Sequence, residues 1–128
     1  MILDSTFLVD MEGEARNKKP GPAMDFLKSH PDAILCVTFT IAGEMAAGES
    51  LRDRRQWEEF LSPFRFFGNR AEVSWHYGQI YRDLKARGLL IGSNDMWIGA
   101  TGLAYRQPVV TRNRQEFSRI QGLRVYGY

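Results

Sequence analysis

The chain has 128 residues, 44% of them hydrophobic and 25% charged, which fits one domain spanning residues 1–128 and able to bury about two thirds of its unfolded surface. A single cysteine, Cys36, excludes an internal disulfide and suits a reducing, cytoplasmic setting, and no apolar run approaches the ~18 residues of a membrane span. The net charge of +2 admits an anionic partner without demanding one, and no Gly-x-x-x-x-Gly-Lys-Ser/Thr loop for a nucleotide occurs.

Short apolar runs alternate with longer helical patterns, the order of an α/β domain whose parallel strands are joined by helical crossovers. Residues 1–4 are the first predicted strand. Ser5 or Thr6 can cap a short helix carrying Phe7, Leu8 and Met11, and a second helix follows Pro20-Gly21-Pro22 with Ala23, Phe26 and Leu27 on one face and Pro31 at its end. Residues 33–39, almost continuously apolar, read as a strand covered on both faces. Thr40 then caps a helix bearing Glu44, with Gly48 near its end, and residues 52–61 form an amphipathic helix that turns Trp57, Phe60 and Leu61 inward. A short strand is expected over residues 64–67. Asn69 and Glu72 have capping-box spacing ahead of a helix on which Val73, Tyr77, Ile80, Tyr81 and Leu84 recur up to Gly88. Residues 95–105 form a helix with Gly99 and Gly102 as points of close approach, followed by a strand at 108–111, a short helix at 115–117 and a last strand at 123–126.

Four polar residues border these apolar runs: Asp4, Glu44, Asp95 and Asn113. In open parallel sheets, ligands bind beyond the carboxyl ends of the strands, where the strand order reverses. If the strands ending at Asp4 and Thr111 are neighbours across that reversal, the helices bearing Glu44 and Asp95 start at the same rim. Glu116 adds a further acid one turn beyond Asn113. Carboxylates gathered this closely stay ionised at neutral pH only when a cation or proton compensates them. An all-oxygen donor set suits Mg²⁺ or Mn²⁺ rather than zinc, and such an ion orients a phosphodiester and activates a water. The expected chemistry is phosphodiester hydrolysis. Any one acid at a helix start is more commonly a cap or dipole partner, but four such residues at one rim are harder to explain that way.

These residues also carry a resemblance. Ile2-Leu3-Asp4-Ser5-Thr6, Glu44 with Gly48, Ile91-Gly92-Ser93-Asn94-Asp95 running into Ile98-Gly99-Ala100-Thr101-Gly102-Leu103, and Val110-Thr111-Arg112-Asn113 followed by Glu116-Phe117 resemble, in that order, the motifs of PIN-domain proteins. Within that group the chain is most similar to the VapC-type ribonuclease toxins of toxin-antitoxin pairs. The resemblance implies a three-layer α/β/α sandwich on a parallel five-stranded sheet and endonucleolytic cleavage of RNA with Mg²⁺ or Mn²⁺. It assigns Asp4, Glu44 and Asp95 as the acidic triad around the metal, with Asn113 where many members carry Asp and Glu116 as a compensating ligand. It further implies a homodimer and a small antitoxin whose C-terminal segment lies across the active-site groove.

The remaining polar residues each have an ordinary use beside a functional one. Ser5 and Thr6 offer hydroxyls to a metal water or a phosphate, or cap a helix; Thr111 is similarly ambiguous. Arg112 and Arg114 flank Asn113 and can neutralise RNA phosphates, or are solvated surface charges. His30 and His76 lack partners at zinc spacing, and Cys36 sits in apolar surroundings that suppress a thiolate. Trp57, Phe60, Phe64, Phe66 and Phe67 are expected mainly to pack the core, while Trp75 and Trp97 have no assigned place. Two other functions compete. A catalytically weak PIN domain could serve as an RNA-binding or protein-interaction module. A phospho-receiver needs adjacent acids after the first strand, where Asp4 stands alone.

Overall fold

Five short strands, β1 (Ile2–Leu3), β2 (Cys36–Thr38), β3 (Arg65–Phe67), β4 (Val109–Val110) and β5 (Val125–Tyr126), form one sheet in the order β3-β2-β1-β4-β5. The computed structural model describes residues 1–128, and every neighbouring strand pair in it is parallel. Seven helices connect them: α1 (Ser5–Asn17), α2 (Pro22–Ser29), α3 (Phe39–Ala47), α4 (Arg54–Leu61), α5 (Ala71–Ala86), α6 (Ser93–Tyr105) and α7 (Arg114–Phe117), with a 3₁₀ turn at Glu49–Leu51. From β1 the chain moves outward to β2 and β3, then crosses back to β4 and β5. Right-handed crossovers therefore place the helices of these two halves on opposite faces, giving the three-layer sandwich.

The central strands have no polar face. Ile2, Leu3, Val37, Val109 and Val110 are all fully buried, as expected of a parallel sheet covered on both sides. Phe7, Leu8, Leu84, Ile98 and Phe117 complete the core from the helices, each contributing roughly 1.5–3 kcal/mol by burial. Trp97 belongs here too: its ring stacks on Tyr77 with centroids 4.0 Å apart and meets Phe39 edge-on. Trp75, by contrast, is exposed. Trp57 is partly buried against the core and donates from Nε1 to Ala42 O at 2.9 Å, which ties α4 to the helix bearing Glu44. Phe66 faces outward.

Several boundaries shift by one to three residues, two of them for a shared reason. The expected strand over residues 33–39 pairs only at Cys36–Thr38, and it ends there because Phe39 already opens α3. The cap is accordingly Thr38, whose Oγ1 accepts from Ile41 N at 3.1 Å, rather than Thr40. Likewise Asp4 caps α1 by accepting from Ser5 N at 2.8 Å, so Ser5 and Thr6 lie inside that helix. In both cases the chain passes from strand to helix without a loop, and the last extended residue takes the cap. Asp53 caps α4, and α5 starts after Arg70 instead of through an Asn69–Glu72 box; Glu72 pairs with Arg70 at 3.3 Å.

Candidate active site

The strand order reverses between β1 and β4, whose residues pair as Ile2 with Val109 and Leu3 with Val110. The next residue on each strand is Asp4 and Thr111, and Asp4 N donates to Val110 O at 3.0 Å. Asp4 is only 3% exposed, yet both of its carboxylate oxygens are satisfied. Oδ1 accepts from Ser5 N at 2.8 Å, while Oδ2 accepts from Thr111 Oγ1 at 2.8 Å and Thr6 Oγ1 at 3.2 Å. The first of these donors is the amide that opens α1. Thr111 is fully buried and also accepts from Asn113 N at 3.0 Å, so one hydroxyl sets both the first acid and the turn that carries Asn113.

Glu44 comes from α3, and its Oε2 lies 3.5 Å from Ser5 Oγ. Its other oxygen, Oε1, is buried and has no hydrogen-bond partner. Burial first, then the charges of Asp4 and Asp95, push the Glu44 carboxyl up to about 7, with the Ser5 hydroxyl opposing. Asp95, in the first turn of α6, is pushed up to about 6 by burial and then by Asp4 and Glu116. The three acids from β1, α3 and α6 therefore feel one another's charge. Asn113 Nδ2 donates to Glu116 Oε2 at 2.9 Å, which brings Glu116 to the same rim and leaves Asn113 Oδ1 as its free polar atom.

Residues 1–123 match the PIN domain. The chain belongs to the PIN-domain family. Among relatives of this PIN domain, a protein named ribonuclease VapC1 of Haemophilus influenzae is 38% identical over 100 residues, covering 73% of each chain. Another, ribonuclease VapC2 of Rickettsia felis, is 28% identical over 114 residues, 76% of this chain and 85% of that one. Two solved structures share the fold. VapBC2 from Rickettsia felis bound to a promoter DNA fragment superposes with a TM-score of 0.80 at 23% identity, covering 99% of this chain and 97% of that one. VapBC-1 from nontypeable Haemophilus influenzae gives 0.75 at 21% identity, covering 98% and 96%.

The PIN domain's donors at this rim are all oxygen, as a hard cation requires, and their charge is uncompensated by any Lys or Arg. Glu44 Oε1, buried and unpaired, is an acceptor suited to such an ion or its water. As the side chains stand, no three of them close into a metal-binding group. The donor set fits a divalent cation that would draw them together.

The flanking residues divide. Ser5 and Thr6 lie beside the acids through their contacts to Asp4. Arg112 turns away: its guanidinium pairs with Asp10 Oδ1 at 3.2 Å, while its N–H donates to Thr6 Oγ1 at 3.4 Å. Arg114 is exposed, and its aliphatic stem packs over Gly127. The place of Thr111 against Asp4 is tertiary, since the two are 107 residues apart, and local sequence carries no sign of it.

Proposed function

We propose that this PIN domain is a Mg²⁺- or Mn²⁺-dependent endoribonuclease, the toxin of a toxin-antitoxin pair acting in the cytoplasm. The observation that carries the reading is the gathering of Asp4, Glu44 and Asp95 at the strand-order reversal, with two carboxyls lifted by burial and by neighbouring charge. Relatives named ribonuclease VapC supply the substrate class, RNA. The antitoxin partner is supported by the complexes that share the fold, among them a toxin-antitoxin complex from Klebsiella pneumoniae. No helix is long and apolar enough to cross a membrane.

Asp4, Glu44 and Asp95 would hold the cation, with Asn113 Oδ1 and Glu116 as further oxygen donors. Bound there, the ion supplies a polarised phosphodiester oxygen and a more acidic water. The chain's own residues provide the positioning. Ser5 N, Thr6 and Thr111 fix the Asp4 carboxylate, and the buried cradle keeps it from rotating. Glu44 keeps one buried carboxylate oxygen without a protein partner, an acceptor left over for the ion or its water. Arg114, exposed beside Asn113, would receive a backbone phosphate, and Arg112 would do so on leaving Asp10. The working unit is proposed to be a homodimer, with the antitoxin's tail laid across the acid groove.

Purified protein is expected to cleave RNA with Mg²⁺ or Mn²⁺, and to lose about 10²-fold or more of that rate with chelator or in Asp95→Ala. Cleavage that survives both changes would sink the reading. Mn²⁺ uptake with intact RNA would favour the interaction-module alternative.

A further inference from the structure

A cleft of about 560 Å³ opens between α1 and the turn at residues 19–22. That size lies within the roughly 300–1,000 Å³ of ordinary ligand clefts. Its mouth adjoins the acid site. Arg112 lines it and donates from its backbone N to Thr6 Oγ1 at 3.4 Å, and Thr6 Oγ1 in turn donates to Asp4 Oδ2 at 3.2 Å. From there α1 carries the cleft away from the acids, past Asp10 and Gly13 to Arg16 in its last turn. Asp10 and Arg16 are about 9 Å apart along the helix axis, the rise of two or three stacked nucleotides at about 3.4 Å each. Gly13 leaves the middle of this wall bare, since a Cβ there would meet nothing within 4 Å.

The charges lining the cleft are not balanced in practice, because both of its acids are already occupied. Glu14 accepts from Ala23 N at 3.0 Å and from Met24 N at 2.8 Å, so its two oxygens and its charge serve the start of α2. Asp10 accepts from Arg112 at 3.2 Å through Oδ1 and from the Tyr128 hydroxyl at 2.6 Å through Oδ2. Arg16 and Lys19 line the same cleft, are exposed, and pair with no carboxylate. Two cations are therefore uncommitted. Arg112 is a third that can be released: its side chain is 60% exposed, and an ion pair so open to solvent is weak enough for a phosphate to replace the carboxylate.

We propose that this cleft receives the RNA strand that runs on from the acid site. Arg112 contacts the backbone phosphate nearest the acids, and Arg16 and Lys19 contact phosphates farther along. The inference rests on the ribonuclease reading above and adds the path of the substrate to it. Contacts of this kind fix register and orientation without reading the sequence.

The test follows binding of a fluorescently labelled single-stranded oligoribonucleotide by anisotropy, in chelator and over a range of salt concentrations. Wild type is compared with Arg16→Gln/Lys19→Gln, with Gly13→Glu, and with Arg82→Gln/Lys85→Gln, which makes the same change of charge on α5 outside the cleft. Each phosphate contact on a single strand contributes about 0.7 to the salt slope, so Arg16→Gln/Lys19→Gln is expected to lower that slope by about 1.4 and to weaken binding about tenfold at low salt. The α5 pair is expected to leave both at the wild-type value. Gly13→Glu, which the bare helix wall accommodates, is expected to weaken binding while keeping the wild-type unfolding temperature. Wild-type affinity and slope in Arg16→Gln/Lys19→Gln, or an equal loss in the α5 pair, would overturn the proposal. Failure of the ribonuclease reading looks different: RNA would stay whole on adding Mn²⁺ although the cleft variants still bind it more weakly than wild type. A wild type that binds no RNA would overturn both.

Discussion

Asp4 and Glu44 show how burial treats two carboxylates differently. Asp4 is the more deeply buried, but an amide and two hydroxyls satisfy its oxygens, whereas Glu44 keeps one oxygen unpaired. The cost appears as a raised pKa, and this fixes the sign of a pH effect. Folded Glu44 sits at about 7 against an ordinary 4.5, and Asp95 at about 6 against 3.8. Between those values the native state binds more protons than the unfolded chain, so metal-free stability falls as pH rises through the window. The unfolding temperature of metal-free wild type is expected to drop between about pH 5 and pH 7.5, and Glu44→Gln to flatten that slope. A profile that rises, or that Glu44→Gln leaves unchanged, would contradict the charge clustering. Which acids lie next to apolar runs could be read from the chain, because rim carboxylates follow strands. How their oxygens are shared could not, because the partners of Asp4 include a hydroxyl from β4's far end and those of Glu44 come from β1's side.

Elements of this fold were legible where periodicity is long and blurred where strands are short. The helix ending at Ala86, with Gly88 just beyond it, and the one through Gly99 and Gly102 follow directly from spacing. The two-residue strands β1, β4 and β5 leave no alternation to read, and the choice of Thr38 over Thr40 as a cap depends on where the β2 ladder stops. Close approach at Gly102 is real and mechanical. A Cβ there would meet Leu123 Cδ1 at 2.8 Å and the backbone oxygen of Gln107 at 3.0 Å, and the latter cannot swing aside. Gly78 in α5 has nothing within 4 Å. Gly78→Ala is therefore expected to stabilise by up to about 1 kcal/mol through helix propensity, and Gly102→Ala to destabilise by roughly 1–3 kcal/mol through overpacking. Denaturant unfolding of the two variants checks the contrast; equal midpoints would mean that α6 does not press on the Gln107–Leu123 segment as described.

At the scale of the whole molecule, the acid site is where the two halves of the sheet meet. A ligand bound there bridges β1, α3, α6 and the β4 end, so it should resist global unfolding rather than local fraying. Mn²⁺ at about 100 times its dissociation constant is expected to stabilise by about 2.7 kcal/mol, read as an upward shift in the unfolding temperature that Asp95→Ala abolishes. No shift in wild type would argue against a cation at this rim. The proposed assembly with an antitoxin and a second copy left no residue pattern that sequence alone could resolve, since partner surfaces lack the periodicity that marks a core.

The pairing of Ile2 with Val109 and of Asp4 with Thr111 also sets a clock. Asp4 is translated 107 residues before the hydroxyl that aims it. Its central strand has one open edge until β4 arrives. A nascent chain thus carries Asp4, Glu44 and Asp95 before the hydroxyl that orients the first of them exists, and the acid site is complete only once the end of β4 has been made.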